Sequence, residues 1–312
     1  MDLETALAGI SGILVTPFDE EDTVAPAKLA PIIDRALVAG VHMPVVNGNT
    51  GEFYALTTHE AVEMVHAVTN LVDGRAPVLA GVGRGIHDAI HLAHESAKAG
   101  ATAIMVHQPP DPFVSPRGMV EYLKRIADAA QGLPLMLYLR NDAIGTAAIA
   151  ELCTVEGVKG VKWATPNPLK LSDAINACDP GITWVAGLAE VWAPALYSVG
   201  ARGFTSGLIN VWPERSVAIC DALSAGDYTK ANALIADMRV FEDIRADEMG
   251  GTNVTGVKSA LKMQGLDCGD VRPPGAWPLT LTQHAKLKSF MQDNGLLAGT
   301  TEPKNVRTHA QT

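Results

Sequence analysis

The feature that most restricts what this chain can fold into is a recurrence. Between Gly9 and about Ser224, eight short apolar runs alternate with amphipathic stretches of about 10–17 residues. The runs are Ile10–Thr16, Met43–Asn47, Val78–Val82, Ala103–His107, Leu135–Leu139, Gly157–Trp163, Thr183–Leu188 and Gly203–Ile209. They are predominantly apolar and do not alternate strictly in polarity, which is how parallel strands buried on both faces read. The stretches between them carry helix signals. Thr57 precedes Glu60 by three positions, as in a capping box; Ser115-Pro116 supplies an N-cap and a first-turn proline; Gly40 and Gly100 stand where helices end. Eight βα units in about 215 residues predict an α/β fold, a closed (β/α)8 TIM barrel. A doubly wound open sheet is the competing arrangement, but it usually has fewer strands and an early glycine-rich phosphate loop.

After Gly226 the pattern changes. Asp227–Asp247, Val254–Gln264 and Leu281–Asn294 read as three helices with no strands between them, and Pro273-Pro274 and Pro278 separate the second from the third. On this reading residues 1–225 form the barrel, 226–298 a C-terminal helical extension, and the polar segment 299–312 a flexible tail.

Composition narrows the function. Of 312 residues 47% are hydrophobic and 19% charged, a globular balance, and 24 basic against 34 acidic residues give a net charge of −10. An acidic surface argues against nucleic acid or an anionic membrane as the principal partner, though it leaves room for a local cationic pocket. No apolar run approaches the roughly 18 residues of a membrane span. The start Met1-Asp2-Leu3-Glu4 lacks the basic region and apolar core of a signal peptide. Cys153, Cys178, Cys220 and Cys268 form no CxxC and no disulfide pattern, so reduced thiols in a cytoplasmic protein are expected.

Barrel active sites lie at the C-terminal ends of the strands. In the sixth run, period 2 sets Val158, Gly160 and Lys162 on one face and Lys159 and Val161 on the other; the first set suits the barrel interior. Lys162 then points inward at the catalytic end, where desolvation lowers its pKa and makes it a nucleophile towards a carbonyl. The plain alternative is a lysine paired with a buried carboxylate. In the fifth run Met136 and Tyr138 share a face, and Tyr138 is either a proton shuttle or an ordinary barrel-filling aromatic. Gly48-Asn49-Thr50-Gly51-Glu52 after the second run could form a nest of N–H groups for a carboxylate, or a simple turn. Gly81-Val82-Gly83-Arg84-Gly85 follows a strand but does not complete GxGxxG, which leaves it weak as a nucleotide signal. His87, His91 and His94 share a helix face at metal-compatible spacing, yet an outer barrel helix puts them far from the pocket, and no metal site is assigned. Asp19–Asp22 reads as a solvated acidic loop.

Four motifs, taken together, resemble the superfamily of dihydrodipicolinate synthase and N-acetylneuraminate lyase, class I Schiff-base lyases on (β/α)8 barrels. They are Leu14-Val15-Thr16-Pro17-Phe18, Gly48-Asn49-Thr50-Gly51-Glu52, Leu137-Tyr138 and Gly160-Val161-Lys162, in the family's order, and the likeness spans roughly Gly9 to Leu296. The resemblance implies that Lys162 forms an iminium with a 2-oxo acid and that Tyr138 shuttles protons. It implies that Thr50 and Asn49, with their backbone amides, and Gly51 hold the substrate carboxylate, and that Ser206 and Gly207 line the pocket. Asn49 departs from the usual serine or threonine. The synthases also carry a tyrosine in the loop after the fourth strand, where this chain reads His107-Gln108-Pro109-Pro110-Asp111-Pro112-Phe113. They carry an arginine a few residues after the tyrosine of the fifth strand, where this chain has Ala143 and Ile144, with Arg140 lying nearer. Thr50–Leu56, Arg140-Asn141, Val257–Leu261 and Val271–Pro274 are instead similar to 5-dehydro-4-deoxyglucarate dehydratases, although Trp163-Ala164-Thr165-Pro166 is not. The expected activity is dehydration, with or without decarboxylation, or aldol cleavage of a 2-oxo-3-deoxy sugar acid, with Arg140 on a distal carboxylate. Condensation of pyruvate with aspartate semialdehyde is one alternative, and a non-catalytic 2-oxo acid binding protein is another. The resemblance implies no cofactor, because the iminium is the electron sink, and a homodimer or homotetramer.

Overall fold

A computed structural model describes residues 1–299. The segment read as a flexible tail therefore lies, apart from Gly299, outside the described residues. The chain opens with a short helix, α1 (Leu3–Leu7), whose first turn is capped by the Asp2 carboxylate accepting from the Thr5 amide at 2.8 Å. Eight strands follow: β1 (Ile10–Ile13), β2 (Met43–Val46), β3 (Leu79–Val82), β4 (Ala103–His107), β5 (Leu135–Leu139), β6 (Val158–Trp163), β7 (Thr183–Ala186) and β8 (Gly203–Ser206). All are parallel, each pairs with the next, and β8 returns to β1, so the sheet closes. The connecting helices are α2 (Ala30–Ala39), α3 (Thr58–Val72), α4 (Ile86–Lys98), α5 (Pro116–Ala129), α6 (Thr146–Cys153), α7 (Pro168–Ala177), α8 (Ala189–Tyr197) and α9 (Pro213–Ser224). The expected (β/α)8 barrel is the fold observed.

The local signals operate as chemistry demands. Thr57 and Glu60 cap each other at the start of α3, Ser115 caps α5 ahead of Pro116, and Gly40 ends α2 with φ +103°. Two apolar layers result. Residues turned into the barrel, among them Ile13, Met43, Val45, Leu79, Met105, Met136 and Val185, pack with Ala6 and Leu7 of α1, which closes the base. Residues turned outward join the much larger core between strands and helices.

One parity differs from the expected one. Leu135 pairs with Val158, but Met136 pairs with Gly160, so β6 carries a bulge at Lys159. Val158 accordingly packs in the outer layer, while Gly160 and Lys162 remain on the inner face.

Beyond α9 come α10 (Tyr228–Gly250), α11 (Asn253–Met263) and α12 (Leu281–Asp293). The helix α10 packs along α8 and α9 and departs from helical angles at Asp247, Glu248 and Met249. The turn after this break aims α11 across the top of the barrel. There Lys258 of α11 forms a buried ion pair with Glu52 of the β2 loop (2.7 Å) and donates to the Asp270 carbonyl. Among the described residues no helix is long and apolar enough to cross a membrane.

Candidate active site

A cavity of about 370 Å³ opens at the C-terminal ends of the strands. Lys162 and Tyr138 face each other across paired strands, in register, with the Lys162 Nζ 3.9 Å from the centroid of the Tyr138 ring. Burial, aided by the field of Arg140, lowers the Lys162 ammonium to about 7. Burial raises the Tyr138 phenol to about 12 against the opposing pull of Arg140. A tyrosine held this firmly protonated can donate and take back a proton, and an amine that titrates near neutrality is available as a nucleophile.

The β2 loop supplies the next groups. Asn49 Nδ2 donates to the Tyr138 Oη at 2.9 Å, and Asn49 and Thr50 both line the cavity. Gly51 does not. Its amide bonds to the Gly48 carbonyl, its own carbonyl accepts from the Thr16 hydroxyl, and a Cβ at this position would meet the Leu14 carbonyl at 2.9 Å. The expected nest is correspondingly smaller, because the amides of Gly51, Glu52 and Phe53 close turns onto Gly48 and Asn49. The Gly51 role is packing of the loop against β1.

Ser206 also differs from expectation. Strand alternation turns Thr205 into the cavity and Ser206 outward, where its hydroxyl meets that of Ser216 on α9 at 3.0 Å. Ser216 donates in turn to Glu190 at 2.6 Å. Glu190 is fully buried, and its carboxyl is raised by burial and by the nearby Glu242. Gly207 does line the cavity. Arg140 stands exposed at the rim, where its backbone amide donates to the Gln108 side chain at 2.8 Å.

His107, at the end of β4, is buried beneath the β2 loop. Its Nε2 lies 2.9 Å from the Asn47 carbonyl and therefore carries the proton; burial holds the ring neutral, at about 3. It stacks on Phe53 at 4.5 Å between ring centroids. Gly81 allows this packing: a Cβ there would fall 2.1 Å from the Asn47 carbonyl and 2.9 Å from His107 Nε2. The glycines of Gly81–Gly85 thus serve close packing. Arg84, at φ +76°, donates to the Leu56 carbonyl at 2.6 Å and the Thr58 hydroxyl at 2.9 Å. His87, His91 and His94 lie on α4, away from the cavity. In the acidic loop, Asp22 pairs with Arg272 at 2.8 Å.

The residues that sequence reading missed come from the extension. Arg239, Glu242, Asp243 and Arg245 of α10 and Asn253 of α11 form one wall of the cavity. The break at the end of α10 was the available signal: Gly250-Gly251 between a charged helix and an apolar one marks a turn, but nothing in the pattern says what the turn faces.

Comparison with known proteins agrees with this architecture. The model of the dihydrodipicolinate synthetase family matches residues 6–294. An uncharacterised DapA-like lyase of Halobacterium salinarum is 33% identical over 299 residues, 93% of this chain and 95% of the relative. The crystal structure of dihydrodipicolinate synthase from Oceanobacillus iheyensis superposes with a TM-score of 0.88 at 35% identity, covering 93% of this chain and 97% of that one. YagE, a prophage protein of the dihydrodipicolinic acid synthase family from E. coli K12, crystallised with pyruvate, gives a TM-score of 0.82 at 26% identity, covering 91% and 97%. Barrel and matches together define an enzyme of the class I lyase and aldolase kind. The chain belongs to the dihydrodipicolinate synthetase family.

Proposed function

We propose that the protein is a Schiff-base lyase acting on a 2-oxo-3-deoxy sugar acid, with Lys162 as the amine and Tyr138 as the proton shuttle. The observation that carries this reading is a buried amine in register with a buried phenol, its Nζ 3.9 Å from the ring centroid at the floor of the cavity, where burial lowers the amine to about 7. The Lys162 Nζ adds its lone pair to the keto carbon. The carbonyl oxygen takes up two protons, relayed by Tyr138, and leaves as water, which produces an iminium. The iminium draws electrons from a C3–H bond to give the enamine. The enamine then expels the C4 hydroxyl, which leaves as water with the proton taken from C3; in cleavage no C3–H bond breaks, and the C3–C4 bond of the iminium itself gives up its electrons to form the enamine as the C4 hydroxyl loses its proton. Thr50, beside Asn49, receives the carboxylate.

The sugar-acid class is supported by the extension wall. Its guanidinium and carboxylate pairs and the Asn253 amide offer donors and acceptors to a chain of hydroxyls, in a cavity larger than a three-carbon acid requires. On this reading Arg140, exposed at the rim, receives a distal carboxylate. A second reading, condensation of pyruvate with aspartate semialdehyde, is favoured by relatives named 4-hydroxy-tetrahydrodipicolinate synthase, such as that of Syntrophus aciditrophicus at 29% identity. The proposal includes a cytoplasmic setting, consistent with four free thiols, and assembly as a homodimer or homotetramer.

The test is borohydride trapping. Incubation with pyruvate or a 2-oxo-3-deoxy sugar acid, reduction and peptide mass mapping should place one adduct on Lys162. No adduct there with any 2-oxo acid would leave a binding protein as the better reading. A parallel turnover panel decides the class: robust condensation of pyruvate with aspartate semialdehyde, without turnover of sugar acids, would move the assignment to the synthase.

A further inference from the structure

We infer that Arg245, carried by α10 of the extension, is a carboxylate-binding residue, gripping together with Thr50 the carboxylate next to the substrate's keto group. The inference rests on the lyase reading above and adds to it a residue outside the barrel.

Three observations lead to it. The first is the state of Asn49. Its amide group already donates to Tyr138, and its Oδ1, buried without a hydrogen-bond partner among the described residues, would repel an anion. Thr50 is thus left as the one side chain of the β2 loop with a hydroxyl for the carboxylate, beside the Asn49 and Thr50 backbone amides, and none of these neutral donors brings a positive charge to an anion.

The second is the geometry of Arg245. Its side chain is buried yet lines the cavity. Nη1 pairs with Glu242, Nε donates to the Asn253 carbonyl at 3.3 Å, and among the described residues Nη2 reaches only neutral oxygens, Asn253 Oδ1 at 3.1 Å and the Thr50 hydroxyl at 3.4 Å. The guanidinium edge turned towards Thr50 therefore has long contacts and no charged acceptor, where a carboxylate would make shorter, charge-assisted bonds. Burying a guanidinium is expensive, and a pair with no further role sits more cheaply in water. Arg239 and Asp243 make such an exposed pair two turns earlier on the same helix, at 2.7 Å.

The third is the space reserved for the group. A Cβ on Gly207 would lie 2.4 Å from Arg245 Nη2 and 2.8 Å from its Cζ. The Gly207 carbonyl is fixed by the Asn210 side chain at 2.8 Å, so the bare Cα at the end of β8 serves as a seat for this guanidinium.

The experiment compares two probes that share a ketone and differ in charge, pyruvate and pyruvamide. Each is titrated in borohydride trapping at Lys162. In Arg245→Met the half-saturating pyruvate concentration should rise roughly 10- to 100-fold, the loss of a charge-assisted hydrogen bond. The pyruvamide value should stay where it is in the wild type, and the saturated adduct should still map to Lys162. Arg245→Lys, which keeps the charge but loses the planar fork, should fall between. Should Arg245→Met not fold, Gly207→Ala displaces the guanidinium with its charge intact and should shift pyruvate alone in the same direction. Equal shifts for both probes would make Arg245 a purely structural residue and overturn the inference, as would an unshifted pyruvate curve. A wild type that traps neither probe would instead overturn the lyase reading on which it rests.

Discussion

Replacing Lys162 by methionine should make the protein more stable at neutral pH while abolishing trapping. The amine is held at about 7 against 10.5 for an unperturbed lysine, mainly by burial. At about 1.4 kcal/mol per pH unit, that drop corresponds to on the order of 5 kcal/mol for burying the protonated form. The amine opens onto a cavity that water can enter, so about 2–5 kcal/mol is the expected range. The sign follows from proton counting. Below about pH 7 the folded and unfolded chains both carry the ammonium, and the folded state bears the whole penalty. Between about 7 and 10.5 the folded chain is neutral while the unfolded one is protonated, so wild-type stability climbs with pH. Above about 10.5 the penalty is gone. Methionine matches the lysine stem in length and has no charge to desolvate. Urea unfolding of wild type and Lys162→Met at pH 6, 8 and 10 should therefore show a gain in the variant that is largest at pH 6 and shrinks steadily towards pH 10. A variant no more stable than wild type at pH 6, or a gain independent of pH, would refute the description of Lys162 as a desolvated amine.

Other perturbations test other parts of the molecule. Tyr138→Phe should slow trapping at Lys162 by about 10²- to 10⁴-fold with an adduct of unchanged mass, followed by quenched time courses; an unchanged rate would remove the phenol from proton transfer. Glu52→Gln strips the buried Lys258 ammonium of its counter-charge and should lower stability by about 3–5 kcal/mol, read from denaturation midpoints; a change below 1 kcal/mol would mean the pair is not buried as described. Gly81→Ala forces a methyl onto the Asn47 carbonyl and should cost about 1–3 kcal/mol or more, whereas neutral behaviour in thermal melts would contradict the packing at His107. EDTA should leave turnover intact, since the proposed iminium supplies the electron sink; a chelator-sensitive rate that returns with added metal would contradict it.

The barrel was readable because its strands are buried on both faces, which leaves eight predominantly apolar runs alternating with helices, more than a doubly wound sheet usually has. The inward aspect of Lys162 and Tyr138 was readable for the same reason, since alternation is a local property. Where alternation failed, the cause was not local. The bulge at Lys159 exists only in the pairing of β5 with β6, so Val158 was assigned to the wrong face. Ser206 lay one residue from the cavity-facing Thr205, and a single step reverses a strand's face. The helix α1 is one turn long and offers no periodicity. Arg245 meets Thr50 across 195 positions of sequence, on a helix whose charged residues fall on more than one side; its partners are a property of the assembled top of the barrel.

The turn of helix that closes the base has a bearing on the chemistry at the opposite end. Ala6 and Leu7 stopper the lumen on which Met136 and Tyr138 also pack, so the apolar floor beneath the reactive nitrogen is completed by the first few residues of the chain. Removing that stopper, by trimming through Ala8 or by a fusion that tugs on it, would expose the packed interior to water from below. The nitrogen would then regain its proton, and the enzyme would lose nucleophilic power with every group around its substrate untouched.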